Sequence, residues 1–268
     1  VAMKREVNRE REDNGLLVAE RRSRILARLA EQGKVKVDEL SIEFGVSEVT
    51  IRRDLSNLEK EGLIERTHGG AVSSSKSRFE LSFEQKVAKN MIEKNRIAEK
   101  ALSLIEDGDT IILDSGTTTF QLAKKLGSKR ELTVVTNAIN FVTELSAHSG
   151  LCLVLLGGIY KPATGATIGP LTNRTLKDLH VDKFFLGCNA FTISGGLMTA
   201  DMADAETRKE MIKVASQVIV LADSTKFGKT SFVSVARIEE IDIVITDSGV
   251  DPQIVEDLQN RGVQVLLA

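Results

Sequence analysis

Seven short apolar runs, separated by stretches of helix length, constrain this chain more than any other feature. They are Ile111–Leu113 before Asp114, Leu132–Val135 before Thr136-Asn137, Cys152–Leu156 before Gly157-Gly158, Phe184–Gly187 before Cys188-Asn189, Val218–Ala222 before Asp223, Ile241–Ile245 before Thr246-Asp247, and Val263–Leu267 at the end. Because the runs are continuous rather than alternating, they predict strands buried on both faces, hence a mostly parallel, Rossmann-like sheet covered by helices. A sheet of this kind binds ligands beyond the carboxyl ends of its strands, where the polar closing residues gather.

The residues before this pattern obey a different one. Ile25, Leu26 and Leu29 recur at helical spacing within Ala19 to Glu31, with Gly33 after them. A second helix begins near Asp38, carries Leu40 and Phe44 and stops at Gly45; Ser47 then stands as the N-cap of a third, in which Ile51, Leu55 and Leu58 repeat at i, i+4, i+7. Opposite that apolar stripe lie Val49, Arg53, Ser56 and Lys60, flanked by Thr50, Arg52 and Asn57. Arginines bond guanine edges or phosphates, hydroxyls bond either, and an exposed Val49 meets a thymine methyl, so this face suits a major groove. After Gly62, an alternating strand leads into His68-Gly69-Gly70, which reads as a wing with Arg66 and His68 on the sugar-phosphate backbone. One charged helix face is ordinarily just solvated; three helices, a turn of the right length and a glycine-tipped wing in one segment are not explained that way. The acids Glu48, Asp54, Glu59, Glu61 and Glu65 offset the arginines, so recognition depends on geometry rather than on bulk charge.

The expected organisation is a solvated tail over 1–18, a winged helix-turn-helix over 19–72, a polar linker over 73–80 (Ser73-Ser74-Ser75-Lys76-Ser77) and a sheet domain over 81–268. Ser82 with Gln85 forms a capping box for helical sequence running to Ile105, with a break near Glu93. A net charge of -2 and 28% charged residues exclude a wholesale polycation or a disordered chain. Two cysteines, Cys152 and Cys188, build neither a disulfide framework nor a metal site, and no run approaches a membrane span; a cytoplasmic protein with no membrane partner is expected.

In the sheet domain the sharpest feature is Asp114-Ser115-Gly116-Thr117-Thr118-Thr119, between a buried strand and a helix. Four hydroxyl residues around one glycine exceed what capping needs, and such a turn points N–H groups at an anion such as a phosphate. Lys226, in the turn after Asp223, supplies a cation on the functional reading and is an exposed loop lysine on the plain one. Asp204 and Glu206, near Asp201, accept bonds from sugar hydroxyls on the functional reading and serve as helix-dipole partners on the plain one. Asn137, Gly157 and Gly158 are candidates by position at neighbouring strand ends. The run DSTKFGKT mimics the end of a Walker loop, but its first position is Asp223, whose carboxylate repels phosphate where the loop needs glycine. His68, His148 and His180 converge with no cysteine or acid by spacing, so neither a metal nor a cofactor is expected.

The stretch VDELSIEFGVSEVTIRRDLSNLEKEGLIERTHGGA resembles the winged helix-turn-helix of the DeoR family of bacterial sugar-catabolism regulators, through Ser47, Thr50, Arg52, Arg53, Asp54, Leu55, Leu58, Gly62, Arg66, Gly69 and Gly70. DGDTIILDSGTTT, VTNAIN, LLGGIYKPATGATIGP, DKFFLGCNAF, DAETRKEMI and VIVLADSTKFGKTSF are similar to that family's effector domain, whose fold is of the ribose-5-phosphate isomerase, glucosamine-6-phosphate deaminase and CoA transferase type. The resemblance implies a phosphorylated sugar or amino-sugar effector held near Ser115 to Thr119. The isomerases carry an Asp-Gly-Ala-Asp run at a strand end, whereas here the comparable strand ends Gly187-Cys188-Asn189-Ala190, and an amide cannot abstract a proton. The reading is therefore a DNA-binding repressor of a carbohydrate catabolism operon, not an enzyme, acting as a homo-oligomer (dimer or tetramer) on a double-stranded operator. The alternative is a sugar-phosphate isomerase or deaminase with a fused regulatory head, which measurable turnover would distinguish.

Overall fold

The computed structural model describes residues 18–60, 63–73 and 83–268. The chain separates into two compact units between Leu81 and Ser82. Tail residues 1–17, Gly62, linker residues 74–80 and the Ser82 cap lie outside the described residues.

In the first unit, α1 (Val18–Gln32), α2 (Val37–Phe44) and α3 (Glu48–Lys60) bury Ile25, Leu29, Leu40, Phe44, Ile51, Leu55 and Leu58 in one core. Helix α2 ends at Gly45, whose φ of 65° is left-handed and costs glycine nothing. Helix α3 opens behind Ser47, whose Oγ accepts the Thr50 N–H at 3.2 Å, the cap that the sequence announces. The wing is β2 (Ile64–Thr67) and β3 (Gly70–Ser73), joined by a turn at His68-Gly69. A strand not expected from sequence, β1 (Lys34–Lys36), pairs antiparallel with β3, giving the order β1-β3-β2. Three residues are too few to show a period, so only the partner strand reveals it.

Gly70 sits at this crossing: a Cβ there would lie 1.9 Å from the Val35 carbonyl oxygen. Beside its place at the wing turn, this glycine has a packing reason: it is buried and lets β3 close on β1. Gly70→Ala is expected to destabilise the head by about 2–3 kcal/mol through forced backbone separation. Thermal unfolding with unchanged stability would show that the strands part freely.

The second unit holds a seven-stranded, all-parallel sheet in the order β15-β14-β12-β9-β4-β5-β6. These strands are β4 (Thr110–Leu113), β5 (Leu132–Thr136), β6 (Leu151–Leu155), β9 (Val181–Gly187), β12 (Ala215–Leu221), β14 (Ile243–Thr246) and β15 (Gln264–Leu267). Each of the seven apolar runs supplies one of them. Alternate residues feed two cores: Ile112, Phe184, Leu186, Val218 and Val220 on one face, Ile111, Leu113, Phe185, Ile219 and Leu221 on the other. Burial on both faces does not hold at the sheet edges, where Cys152, Leu155 and Leu267 are exposed.

Helices α4 (Phe83–Val87) and α5 (Met91–Leu102) precede β4, and α6 (Thr117–Ala123) follows it. The break between α4 and α5 falls at residues 88–90, earlier than the expected position near Glu93. Further on come α7 (Val142–Ser146), the hairpin β7 (Ile159–Lys161) with β8 (Ala166–Ile168), α8 (Pro170–Leu176), α9 (Met202–Val214) and α10 (Pro252–Gln259). A small antiparallel sheet of β10 (Ala190–Thr192), β11 (Gly196–Thr199) and β13 (Val233–Ala236) lies outside the seven runs.

Candidate DNA interface and effector crevice

On α3 the structure separates two kinds of charged residue. Val49 is 72% exposed, Arg52 and Arg53 are exposed, and Thr50, Ser56 and Asn57 are half-buried along the same side. Arg52 is held by Glu48 one turn back at 2.7 Å, and the Thr50 hydroxyl lies 3.0 Å from Ser47 Oγ. Among the described residues no carboxylate pairs with Arg53, whose side chain is exposed. Arg66, His68 and Gly69 project on the exposed wing. Asp54 differs from the exposed Glu48, Glu59 and Glu65: it is 2% exposed and receives Arg21 Nε at 2.6 Å and Arg22 Nε at 3.2 Å. It ties α3 to α1, a structural role that its sequence neighbours conceal.

In the second unit, strand order alone locates a crevice. From the adjacent pair β4 and β9, the chain builds outward to β5 and β6 on one side and to β12, β14 and β15 on the other. Loops leaving β4 and β9 therefore diverge, the topological switch at which parallel sheets bind ligands. Gly116 and Gly187 face each other there: a Cβ on Gly116 would come within 3.3 Å of Gly187 Cα, and one on Gly187 within 2.9 Å of Asp114 Oδ2.

The turn after β4 holds itself together. Thr119 Oγ1 donates to the Asp114 and Gly116 carbonyls at 2.6 and 2.7 Å, Thr118 is buried, and Thr117 is half-buried. Ser115 differs: its Oγ is buried with no hydrogen-bond partner. A buried hydroxyl left unpaired costs about 1–3 kcal/mol and has a hydrogen bond still to give.

Asp114 is committed to the frame. Its Oδ1 accepts Arg208 Nε at 3.0 Å and its Oδ2 the Gly187 N–H at 3.0 Å. Arg208 also reaches Asp204 Oδ2 at 3.2 Å, and Thr199 donates to the same oxygen at 3.0 Å. Burial pushes the Asp114 carboxyl up and Asp204 adds to that; the Arg208 guanidinium and the Gly187 amide pull the other way without reversing it. The acidic cluster read from Asp201, Asp204 and Glu206 is dispersed by helical geometry. Asp201 caps α9 by accepting the Asp204 N–H at 2.9 Å, Asp204 turns inward to Arg208, and Glu206 faces solvent.

Asn137 and the glycine pair serve the β7–β8 side. Asn137 Nδ2 donates to the Thr167 carbonyl at 2.8 Å while its Oδ1 stays buried and unpaired. Gly157 accepts Thr172 Oγ1 at 2.7 Å, and a Cβ on Gly158 would lie 2.2 Å from that hydroxyl. Both glycines are exposed, and Gly158 alone sits against backbone, where a Cβ would lie 2.8 Å from the Ile168 carbonyl oxygen.

After β12, Lys226 Nζ lies 3.7 Å from Asp223 Oδ2. Asp223 Oδ1 accepts Asn90 Nδ2 at 3.0 Å, the Thr225 N–H at 3.2 Å and the Thr225 hydroxyl. Burial pulls the Asp223 carboxyl up, but Lys226, these bonds and Lys94 outweigh it and hold it below the usual carboxylate range. Lys94, 3% exposed, is pushed down to about 8 by burial first and by Lys226 next. Burial likewise raises the Cys188 thiol to about 12, which makes it unreactive at neutral pH. Sequence reading missed Lys94, Asn90 and Arg208. Two of them carry a usable signal: Lys94 falls three, four and seven residues before Ile97, Ala98 and Ala101, and Arg208 falls three before Met211, so both occupy buried stripes.

Among the described residues, no group of His, Cys, Asp and Glu is arranged to hold a metal ion and no helix is long and apolar enough to cross a membrane. A helix-turn-helix head followed by a sheet domain with a polar crevice defines a DNA-binding regulator that senses a ligand. Residues 21–77 match the family model of the DeoR-like helix-turn-helix domain and residues 89–248 that of the DeoR C terminal sensor domain, so the chain belongs to the DeoR family of transcriptional regulators. It is 40% identical over 250 residues to the uncharacterized HTH-type transcriptional regulator YulB of Bacillus subtilis, covering 93% of this chain and 96% of that protein. Identity is 37% over 251 residues to a putative aga operon transcriptional repressor of Escherichia coli O157:H7, 93% of each chain. It is 36% over 240 residues to a lactose phosphotransferase system repressor of Lactococcus lactis, 88% of this chain and 94% of that one.

Proposed function

We propose that the protein represses a carbohydrate catabolism operon and that a phosphorylated sugar, bound beyond the carboxyl ends of β4, β9 and β12, sets its affinity for the operator. The observation that carries this reading is the buried, unpaired Ser115 hydroxyl at the switch point, with two lysines, Lys94 and Lys226, acting on Asp223 at the end of β12, on the far side of β9. An anion supplies the partner that Ser115 lacks and adds negative charge beside two ammonium groups now held by Asp223 and by the Lys86 and Lys89 carbonyls. Repressors among the relatives support the same direction of control. The crevice binds without turnover on this reading, because Asp114 and Asp204 are engaged by Arg208 and the strand end offers Asn189 where a proton-transferring carboxylate would be needed. Paired half-sites call for paired heads, so a homo-oligomer, dimer or tetramer, is part of the proposal.

Thermal shift against ribose 5-phosphate, glucose 6-phosphate, fructose 6-phosphate, fructose 1-phosphate, galactosamine 6-phosphate and N-acetylglucosamine 6-phosphate, beside the unphosphorylated sugars, tests the effector. Stabilisation by a phosphorylated member alone, lost in Ser115→Ala, is expected; response to none of them, or equally to the free sugar, overturns the assignment. On the DNA side, Arg53→Ala is expected to weaken an operator duplex by about 1–3 kcal/mol, and if Arg53 meets a phosphate the salt slope falls by about one. An unchanged affinity removes Arg53 from the interface.

A further inference from the structure

We infer that Asn90 and Lys94 form a latch that reports occupancy of the crevice to the chain segment leading from the DNA-binding head. The inference rests on the crevice being the sugar-phosphate site. Residue 83 is the first described residue after 74–82, which connect to the head in sequence. From there to residue 94 the segment is tied down at three places. Phe83 stacks edge-on against Phe120, in the helix that follows the Ser115 turn, with centroids 5.4 Å apart, and donates its N–H to the Ala163 carbonyl at 3.1 Å. Lys94 Nζ donates to the Lys86 and Lys89 carbonyls, gathering the end of α4 and the turn after it around one buried ammonium. Asn90 Nδ2 crosses to Asp223 Oδ1 at 3.0 Å and to Thr225 Oγ1 at 3.4 Å.

Ordinary helix capping does not account for Asn90. It occupies the N-cap position of α5, yet its side chain caps nothing, and its backbone is left-handed at φ 50°. That conformation disfavours most residues, and Asn is among the few that tolerate it. Here it aims the amide at the strand-end carboxylate that also faces Lys226. Lys94 is similarly costly: a buried ammonium is disfavoured unless something uses its charge. A phosphoester in the crevice draws Lys226 away from Asp223 and adds negative charge near Lys94. Both ends of the latch then exchange partners, and the segment they restrain is the one continuous with the head. Such an exchange is the differential contact that coupling between two sites requires.

The test uses the full chain and amide hydrogen exchange, with the six phosphosugars above and inorganic phosphate as probes. In the wild type, a bound probe is expected to change exchange both at 115–119 and at 83–94. Asn90→Gly keeps the left-handed backbone while deleting the amide; it is expected to preserve the change at 115–119 and abolish that at 83–94. In the same variant, probe affinity should stay within about threefold while the probe's effect on binding to an operator duplex, selected by the wild type from random sequence, falls by about tenfold or more. Asn90→Asp, which sets a second carboxylate against Asp223, is expected to shift operator affinity with no probe present. Exchange changes confined to 115–119 in the wild type, or a variant that responds like the wild type, overturn the latch and leave the crevice standing. No change at 115–119 with any probe overturns the crevice itself, and the latch with it.

Discussion

Arg208→Met is expected to cost the sensor domain about 3–5 kcal/mol, the loss that follows when one partner of a buried ion pair is removed. Arg208 holds Asp114 at 3.0 Å and Asp204 at 3.2 Å, and both carboxylates are 1% exposed. Without the guanidinium, the buried Asp114 carboxylate faces Asp204 with no cation between them, and burial, which already pushes the Asp114 carboxyl up, goes unopposed by Arg208. Its folded-state affinity for a proton then lies further above the unfolded one. A group with a raised folded pKa contributes stability that is present at low pH and lost as pH rises, so the penalty is smallest near about pH 4 and full by about pH 7. Urea unfolding followed by circular dichroism at both values measures this. A deficit below about 1 kcal/mol, or one independent of pH, would contradict the role given to the cluster. Because Asp114 bridges β4 to β9 through Gly187, the same variant is expected to loosen the Gly116–Gly187 approach that frames the crevice.

Asp54→Ala carries the second large effect, in the head. Its carboxylate neutralises Arg21, which is 3% exposed, and Arg22. Truncation strands a buried guanidinium at about 3–5 kcal/mol. A domain of this size holds only a few kcal/mol of stability in total, since about 0.05–0.15 kcal/mol per residue is usual. The head is therefore expected to unfold at 37 °C while the sensor domain keeps its melting transition and its ligand response. Operator binding is lost entirely, unlike the graded loss from Arg53→Ala. Breaking the exposed Arg52–Glu48 pair, with side chains 56% and 48% exposed, should change stability by about 0–1 kcal/mol and provides the control. Full operator binding by Asp54→Ala would show that the α1–α3 tie is dispensable.

How much of this was legible in the sequence follows from how burial writes itself into residue patterns. All seven sheet strands stand out as apolar runs: the inner five because the parallel sheet buries both their faces, and the edge strands β6 and β15 although theirs are only partly covered. Ser47, Gly45 and the Ile51-Leu55-Leu58 stripe mark the two helices of the head for equally local reasons. The short strands β1, β7, β8, β10, β11 and β13 leave no such mark, since three or four residues set no period, and β1 and β13 moreover find their partners far along the chain. Ionisable residues were the harder problem. Asp54 lies three residues after Ile51 and four before Leu58, and Lys94 and Arg208 hold equivalent places on their helices, so each sits on an apolar stripe while its composition reads as solvent-facing. Which carboxylate or carbonyl receives each charge depends on elements distant in sequence. That is why Asp204 reads as a sugar contact in sequence and as the partner of Arg208 in the fold.

Fluorescence anisotropy of a labelled operator duplex, held half-saturated by the intact protein at fixed ionic strength and titrated with each phosphorylated sugar and its free counterpart, probes the link between sensor and head most directly. The account predicts that one phosphorylated sugar releases the duplex by about tenfold or more, a response removed by Ser115→Ala with duplex affinity retained. Release by the unphosphorylated sugar alone, or an operator affinity indifferent to every phosphosugar that binds the sensor domain, would contradict it.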